Sequence, residues 1–552
     1  MTANTLPASR YVRRLGGAIR HVVIVYPFTY VNPYTCLPPL GAEYLQAGVT
    51  AAGRTSVLLD MRFEDDVSDA LAKADLVCLY GWFEDCSLFG KWHVHVIDEI
   101  LAQVPDDVPV VAGGTGFGKP EETFEQYPRV DVHMVGLPDT PIRELLESGA
   151  PDNIRCLTYQ TTSGETVRNE RVTHRLSNDI FPDRKLRNPK YRYQTAGIEI
   201  DLVRAAIGCN YHCRFCYQYG KDTDGKYLRW QARSPESQYK ELSEISAPVV
   251  LWVDDDMTTD MEALDRLSDL LIENKVRKVM IGTGRVDHVA KSSLSVLKKM
   301  ERAGFLALAF GIESLSDETL HFYRKGQTVE MAKQAMDMLK QSNILLVCNF
   351  LLGSPGETEE DMLEYLWFGG TYNVDHLVTN RLRVPQGSYL HSLIYEEGDE
   401  TRVKPGMERI RGRALKRIKN RVKFGQGTPF RLANTMLKLH RHRGLHIDPL
   451  YWLCCILEAL ARTTWLEKTR ILPVLFFVPK TLGRFPPWRW LTRGLAYILT
   501  PPFWVLGQVS EFVERRVGVF TRLMPFLFGR VGKKVHEKQK HQAQLVATRA
   551  IR

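Results

Sequence analysis

The strongest constraint on this chain is a rhythm of short apolar runs separated by stretches of helical character. Residues 21–26 (HVVIVY), 56–60, 76–80, 108–112 and 130–135 each read as a buried strand. Helical patterns follow over about 40–52, 69–73 and 94–103. Strands alternating with helices predict an α/β fold, here a Rossmann-like, doubly wound parallel sheet. Ligands of such sheets bind outside the carboxyl ends of the strands. The fourth strand ends in Gly113-Gly114-Thr115-Gly116. Backbone without side chains lets a large flat or phosphorylated ligand approach closely there, although such a pair can also simply turn the chain.

Residues 154–175 alternate polar and apolar around Thr162-Ser163-Gly164 and predict a hairpin. Residues 176–193, rich in Pro, Arg and Asn, read as a linker. The rhythm then resumes, with strands expected over 198–207, 248–254, 279–281, 306–310, 345–352 and 376–384. Helices are expected over 260–274, capped by Thr258 or Thr259, and over 291–303, 329–341 and 358–368. Units at this spacing predict a partial barrel of the (β/α)6 type, whose chemistry sits at the carboxyl ends of its strands. Cysteines, the run Asp254-Asp255-Asp256, Arg285, Glu313 and Gly353 all fall there.

The first strand of this second series runs through Gly208 into Cys209-Asn210-Tyr211-His212-Cys213-Arg214-Phe215-Cys216. Thiolates are soft ligands suited to iron–sulfur clusters or zinc. Structural zinc takes four ligands, often as separated pairs, whereas this loop offers three cysteines. Three thiolates on a four-iron cluster leave one iron open, and an open metal position marks catalytic sites. A zinc knuckle completed by His212 is the competing reading.

Ten cysteines in 552 residues, three of them clustered and most others in apolar runs, do not make a disulfide scaffold. They point to a reducing, cytoplasmic setting. The first twenty residues carry Arg10, Arg13, Arg14 and Arg20 without an apolar core, so a disordered arm is expected rather than a secretory signal. No stretch is apolar for long enough to suggest a spanning helix. The charge is uneven: residues 401–552 hold 31 Lys and Arg against 7 Asp and Glu, whereas residues 1–400 hold 42 against 57. Aromatics, prolines and arginines interleave over 450–530, among them Trp488, Trp490, Phe503 and Trp504. A packed helical core is one reading. The other is a basic amphipathic surface that meets an anionic membrane or holds a lipid or aromatic substrate. The charge would also suit nucleic acid, but no recognition module is evident. The expected domains are an arm (1–20), a Rossmann-like domain (21–150), a hairpin and linker (151–195), a partial barrel (196–398) and a mainly helical, basic C-terminal domain (399–552).

The cysteine loop, with Phe215 before the third cysteine, resembles the radical S-adenosylmethionine signature. LWVDDDM (251–257), GTGRVD (282–287), GIES (311–314) and FLLGSPGET (350–358) are similar to that superfamily's later strand ends. The N-terminal domain resembles the cobalamin-binding domain of the cobalamin-dependent class. The resemblance covers about residues 20–395. It implies that Cys209, Cys213 and Cys216 hold a 4Fe-4S cluster and that the backbone of Phe215 meets the adenine of S-adenosylmethionine. It places Asp255 or Asp256 near the methionine ammonium, where the family usually has glycines. It puts Arg285 and Glu313 near the carboxylate and other polar groups, and has Gly353 and Pro355 shape the adenine side. Gly113, Gly114 and Thr115 would face cobalamin. The family's Asp-x-His-x-x-Gly cobalt-ligating signature is absent, and Arg62 is a candidate for the lower face of the cobalt.

The function implied is a cobalamin-dependent radical methyltransferase acting on a carbon of a small-molecule, lipid or peptide natural-product substrate. It would need an external, flavodoxin- or ferredoxin-like electron donor. The alternatives are a related enzyme that oxidises or cyclises its substrate without adding methyl, one that alkylates an electron-rich carbon without a radical, and a sensor that binds the cofactors without turnover.

Overall fold

The computed structural model describes residues 11–12, 19–28, 35–81, 93–171, 176–195, 198–216, 230–372, 374–382, 384 and 388–393. Most of the expected N-terminal arm, and the whole C-terminal domain expected over 399–552, lie outside them. The chain divides into two compact units. Of the described residues, the first contains those within 11–193, 201–207 and 230–246, and the second those within 194–200, 208–216 and 247–393.

In the first unit, the strands are β1 (His21–Tyr26), β2 (Thr55–Asp60), β3 (Leu76–Tyr80), β4 (Val110–Gly113) and β5 (Val132–Met134). They lie in the order β2-β1-β3-β4-β5 and are parallel throughout. The expected hairpin extends the same sheet with β6 (Leu157–Gln160), antiparallel to β5, and β7 (Thr166–Arg168), antiparallel to β6. Residues alternate between faces along a strand, so one β1 sequence feeds two cores. Val22 and Ile24 pack with Leu45 and Val49 of α1 (Leu40–Ala51) and with Ile142 and Leu145 of α5 (Asp139–Ser148). Val23 and Val25 pack on the other face, with Leu71 of α2 (Ser68–Leu71), Ile100 of α3 (His93–Gln103) and Phe124 of α4 (Pro120–Gln126). Each such fully buried Val or Ile stabilises the fold by about 1.5–3 kcal/mol.

β8 (Ile198–Val203) belongs in part to each unit, and α6 (Pro235–Glu244) to the first. The second unit's strands are β9 (Val249–Trp252), β10 (Val279–Gly284), β11 (Phe305–Glu313), β12 (Leu345–Leu352) and β13 (His376–Arg381). Their order is β13-β12-β11-β10-β9, with β8 beyond β9. The pairs from β9 to β13 are all parallel. The helices between them are α7 (Met261–Glu273), α8 (Val286–Lys291), α9 (Leu294–Ala303), α10 (Asp317–Phe322), α11 (Val329–Leu339) and α12 (Glu359–Thr371). The partial barrel is therefore the fold of this unit. Among the described residues, no helix is long and apolar enough to cross a membrane.

Two local expectations are corrected. The cap of α7 is Asp260, whose carboxylate accepts from the Ala263 amide at 2.8 Å. Thr258 and Thr259 instead donate their hydroxyls to Asp256. The helix expected over 291–303 is α9, which starts at Leu294 because Ser293 caps it by accepting from Val296, and the short α8 that precedes it was not expected.

Candidate functional site

The cysteine loop starts at Gly208, whose φ of +72° suits a residue without a side chain. Its amide donates to Asp255 Oδ2 at 3.0 Å, tying the loop to the end of β9. Cys209 and Cys213 are buried, Cys216 is half-buried, and none is in a disulfide. The second half of the loop is held by backbone. The Arg214 amide donates to the Tyr323 carbonyl at 2.9 Å, and the Leu390 amide donates to the Arg214 carbonyl at 2.8 Å. Phe215 packs edge-on against Tyr323, with ring centroids 5.0 Å apart.

The remaining barrel residues divide by how they are bound. Asp256 is buried. It accepts from the Thr258 amide and hydroxyl and from the Thr259 hydroxyl, and its Oδ2 lies 3.2 Å from His288 Nδ1. Burial would raise its pKa, but His288 and the two threonines hold it below the usual carboxylate range. Asp255 is exposed. Of the two acids, it is the one whose side chain faces outward. Arg285 donates through Nε to Asp287 at 3.0 Å and through Nη2 to the Lys325 carbonyl, and its amide donates to Thr258. Glu313 pairs with Lys325 at 3.1 Å. Its backbone φ of +67° is uncommon for a side-chain-bearing residue, and it sits at a break in register between β11 and β12. A Cβ on Gly311 would collide with this pair, so glycine there makes room for it.

Gly353, at φ +86°, opens a turn clamped by Glu357, whose Oε2 accepts from the amides of Gly353 at 2.6 Å and Ser354 at 2.9 Å. The Tyr365 hydroxyl donates to the other oxygen of Glu357. Burial pushes the Glu357 carboxyl up to about 7 against the pull of these bonds. Sequence reasoning missed Tyr211, Asp287, His288, Lys325 and Glu357. The signals were present, since Asp287-His288 follow Arg285 and Glu357 closes the GSPGE turn.

In the first unit, Gly114 has φ +86° and ψ 163°, a region open essentially to glycine alone. A Cβ there would run into the Gly81 carbonyl. The Gly81 amide donates to the Gly113 carbonyl, and the Gly116 amide donates to that of Gly81, both at 3.1 Å. This pair thus brings two strand ends into close contact, and Thr115 opens the short turn that follows. Arg62 is committed to packing. It binds Asp60 through Nε at 2.9 Å and Nη2 at 2.7 Å, donates to the Leu37 carbonyl, and its guanidinium lies 4.8 Å from the Tyr26 ring centroid.

The donor set fits an iron–sulfur cluster. Three unbridged thiols in one short loop, two buried and one half-buried, are the soft donors such a cluster takes, each on a separate iron. His212 is exposed. Two cations lie against rings of the loop, Arg285 over Tyr211 and Lys325 Nζ 5.9 Å from the Phe215 ring centroid.

Residues 204–368 match the Radical SAM superfamily, so this chain carries a radical SAM domain. Its fold is shared with cobalamin-dependent members of that family. It is similar to the radical S-adenosylmethionine methyltransferase TsrM from Kitasatospora setae, solved with cobalamin and a [4Fe-4S] cluster. That likeness has a TM-score of 0.54 at 17% identity, over 69% of this chain and 75% of that one. It is also similar to the cobalamin-dependent S-adenosylmethionine radical enzyme OxsB, with a TM-score of 0.54 at 16% identity over 87% of this chain and 75% of that one. Among curated relatives, an uncharacterized methyltransferase of Pyrococcus horikoshii is 25% identical over 61% of this chain and 74% of its own length. The anaerobic magnesium-protoporphyrin IX monomethyl ester cyclase of Cereibacter sphaeroides is 22% identical over 59% of this chain, and the match spans about half of that enzyme, 55%. The hopanoid C-3 methylase of Methylococcus capsulatus is 20% identical over 59% of this chain and 63% of its own length.

Proposed function

We propose that this protein is a cobalamin-dependent radical S-adenosylmethionine methyltransferase acting on a carbon of a small-molecule, lipid or natural-product substrate. The observation that carries the proposal is the three-thiol loop anchored at the strand ends of a radical SAM barrel. Methyltransferases among the relatives, and the likeness in fold to TsrM and OxsB, support the cobalamin-dependent class.

When bound, the cluster would supply the electron that cleaves the sulfonium, and cobalamin would carry the methyl. The protein's own part is binding, orientation and exclusion of water. Cys209, Cys213 and Cys216 would hold the cluster, and three thiolates would leave one iron for the amino acid end of S-adenosylmethionine. Asp255 faces outward where an ammonium can meet it, while Asp256 positions His288. Glu313 and Lys325 present paired charges at the end of β11. The Glu357 clamp fixes the 353–356 turn on the adenine side. In the first unit, the backbone of Gly81 and of 113–116 offers a surface for the corrin. Arg62 is held by Asp60 and keeps the neighbouring loop in place. The electron would come from an external protein donor. Membrane contact would depend on residues 399–552.

The cyclase relatives favour a second reading, in which the same cofactors modify a substrate without adding methyl. Anaerobically reconstituted enzyme incubated with methyl-labelled S-adenosylmethionine and cobalamin separates the two. Methyl transfer predicts label on cobalamin and release of S-adenosylhomocysteine. Cleavage to 5′-deoxyadenosine alone, with no labelled cobalamin, would favour the cyclase-type reading.

A further inference from the structure

The two halves of the cysteine loop are anchored in different ways. The half from Arg214 onward is held by the backbone bonds to Tyr323 and Leu390. In the half between Cys209 and Cys213, the middle residue reaches out with its side chain. The hydroxyl of Tyr211 donates to buried Asp287 and lies 3.0 Å from His288 Nε2. One face of its ring carries the Arg285 guanidinium, 3.4 Å from the centroid. The ring also lies against Gly326, where a Cβ would come within 2.7 Å of Tyr211 Cε1. Gly326 has φ +71°, so both its conformation and its missing side chain serve this contact.

Each neighbour of Tyr211 is itself fixed. Asp287 also holds Arg285, His288 also meets Asp256, and Arg285 also meets the Lys325 carbonyl. The half-buried ring is thus held by Arg285 at the end of β10, by Asp287 and His288 in the first turn of α8, and by Gly326 in the turn after α10. Such a set holds more firmly than its separate bonds, because each member restricts the next. Burial works against the charge of Arg285, but the Asp287 carboxylate paired with it holds its pKa above the ordinary value. The 3.4 Å contact with the ring of Tyr211, the middle residue between Cys209 and Cys213, sets this cation against the cysteine loop. A positive charge near an iron–sulfur cluster favours its reduced form.

We propose that Tyr211 is a positioning residue: it presets the Cys209–Cys213 half of the loop before the cluster arrives, and its ring holds Arg285 against that loop, where the charge raises the cluster's reduction potential. This rests on the reading of the loop as a cluster site, and the two can fail separately. The first half of the claim concerns the protein without its cluster.

Amide hydrogen exchange in the cluster-free full-length chain tests that half. Tyr211→Phe keeps the ring and removes the hydroxyl. Exchange at residues 210–213 is expected to rise about tenfold, with residues 214–216 unchanged. An unchanged rate at 210–213, or an equal rise across the whole loop, overturns the presetting role. The second half is read from an anaerobic redox titration of reconstituted protein at equal iron content. Tyr211→Leu removes the platform under Arg285 and is expected to shift the cluster to a more negative potential, with Tyr211→Phe lying between it and the parent. A potential unmoved in both variants overturns the electrostatic role. Should the parent protein bind zinc in place of a cluster, the cluster reading falls while the exchange result still stands.

Discussion

At the carboxyl ends of β9 to β12, side chains meet side chains: Asp256 with His288, Arg285 with Asp287, Glu313 with Lys325, and Glu357 with Tyr365. At the ends of β3 and β4, backbone meets backbone. Gly81 and Gly113 bond directly, and Gly114 passes the Gly81 carbonyl with no room for a side chain. Both units are parallel α/β structures, so the contrast does not come from topology. The barrel ends form a charged, hydrogen-bonded frame, which suits the binding of small polar groups. The sheet ends of the first unit leave a backbone surface, which suits a large ligand recognised by shape. The two units therefore differ in how substitution should harm them.

The largest effect is expected in the barrel. Cys213→Ala removes a cluster ligand and should lower S-adenosylmethionine cleavage more than about 100-fold, since even supporting residues around metals cost 10–100-fold. Iron and sulfide content should fall with it, and retention of a full cluster would contradict the assigned ligands. In the first unit, Gly114→Ala imposes a side chain on glycine-only backbone and drives it into the Gly81 carbonyl. It should cost more than about 2 kcal/mol in denaturant unfolding of that unit. Iron loading should persist, and its loss would break the contrast between the units.

A subtler effect concerns pH. The Glu357 carboxyl is raised from 4.5 to about 7, mainly by burial. The folded chain therefore holds this proton between those values while the unfolded chain releases it. Its contribution to stability is full below the unfolded value, declines as pH rises through that window, and is constant above it. Glu357→Gln should flatten this decline in urea titrations at pH 5 and 7.5. An identical slope in both proteins would count against the burial of the charge. The smallest effect is expected at the exposed pair Arg168–Glu121 on the first unit's edge, with side chains 61% and 44% exposed. Arg168→Ala should change stability by less than about 0.5 kcal/mol.

Much of this was legible in the chain itself. Apolar runs such as HVVIVY in β1 declare buried parallel strands, because both faces need apolar side chains. The three cysteines declare themselves because few other roles place three thiols in eight residues. The supporting frame was harder to read. Tyr211, His288 and Lys325 are ordinary residue types, and only folding brings their sequence positions, far apart in the chain, within bonding distance. Arg62 was named as a candidate for the lower face of the cobalt, and what the fold adds is its ion pair with Asp60, two residues away. Gly114 was singled out for its place at a strand end, but the crossing with Gly81 explains why no other residue fits.

The central claim is that the loop of Cys209, Cys213 and Cys216 holds a four-iron cluster with one iron open to S-adenosylmethionine. Electron paramagnetic resonance of the anaerobically reconstituted, reduced full-length protein, recorded with and without S-adenosylmethionine alongside iron and sulfide analysis, tests it most directly. The account predicts four irons and four sulfides per chain, with a signal that changes when S-adenosylmethionine is added. Zinc in place of iron, or a cluster signal indifferent to S-adenosylmethionine, would contradict it.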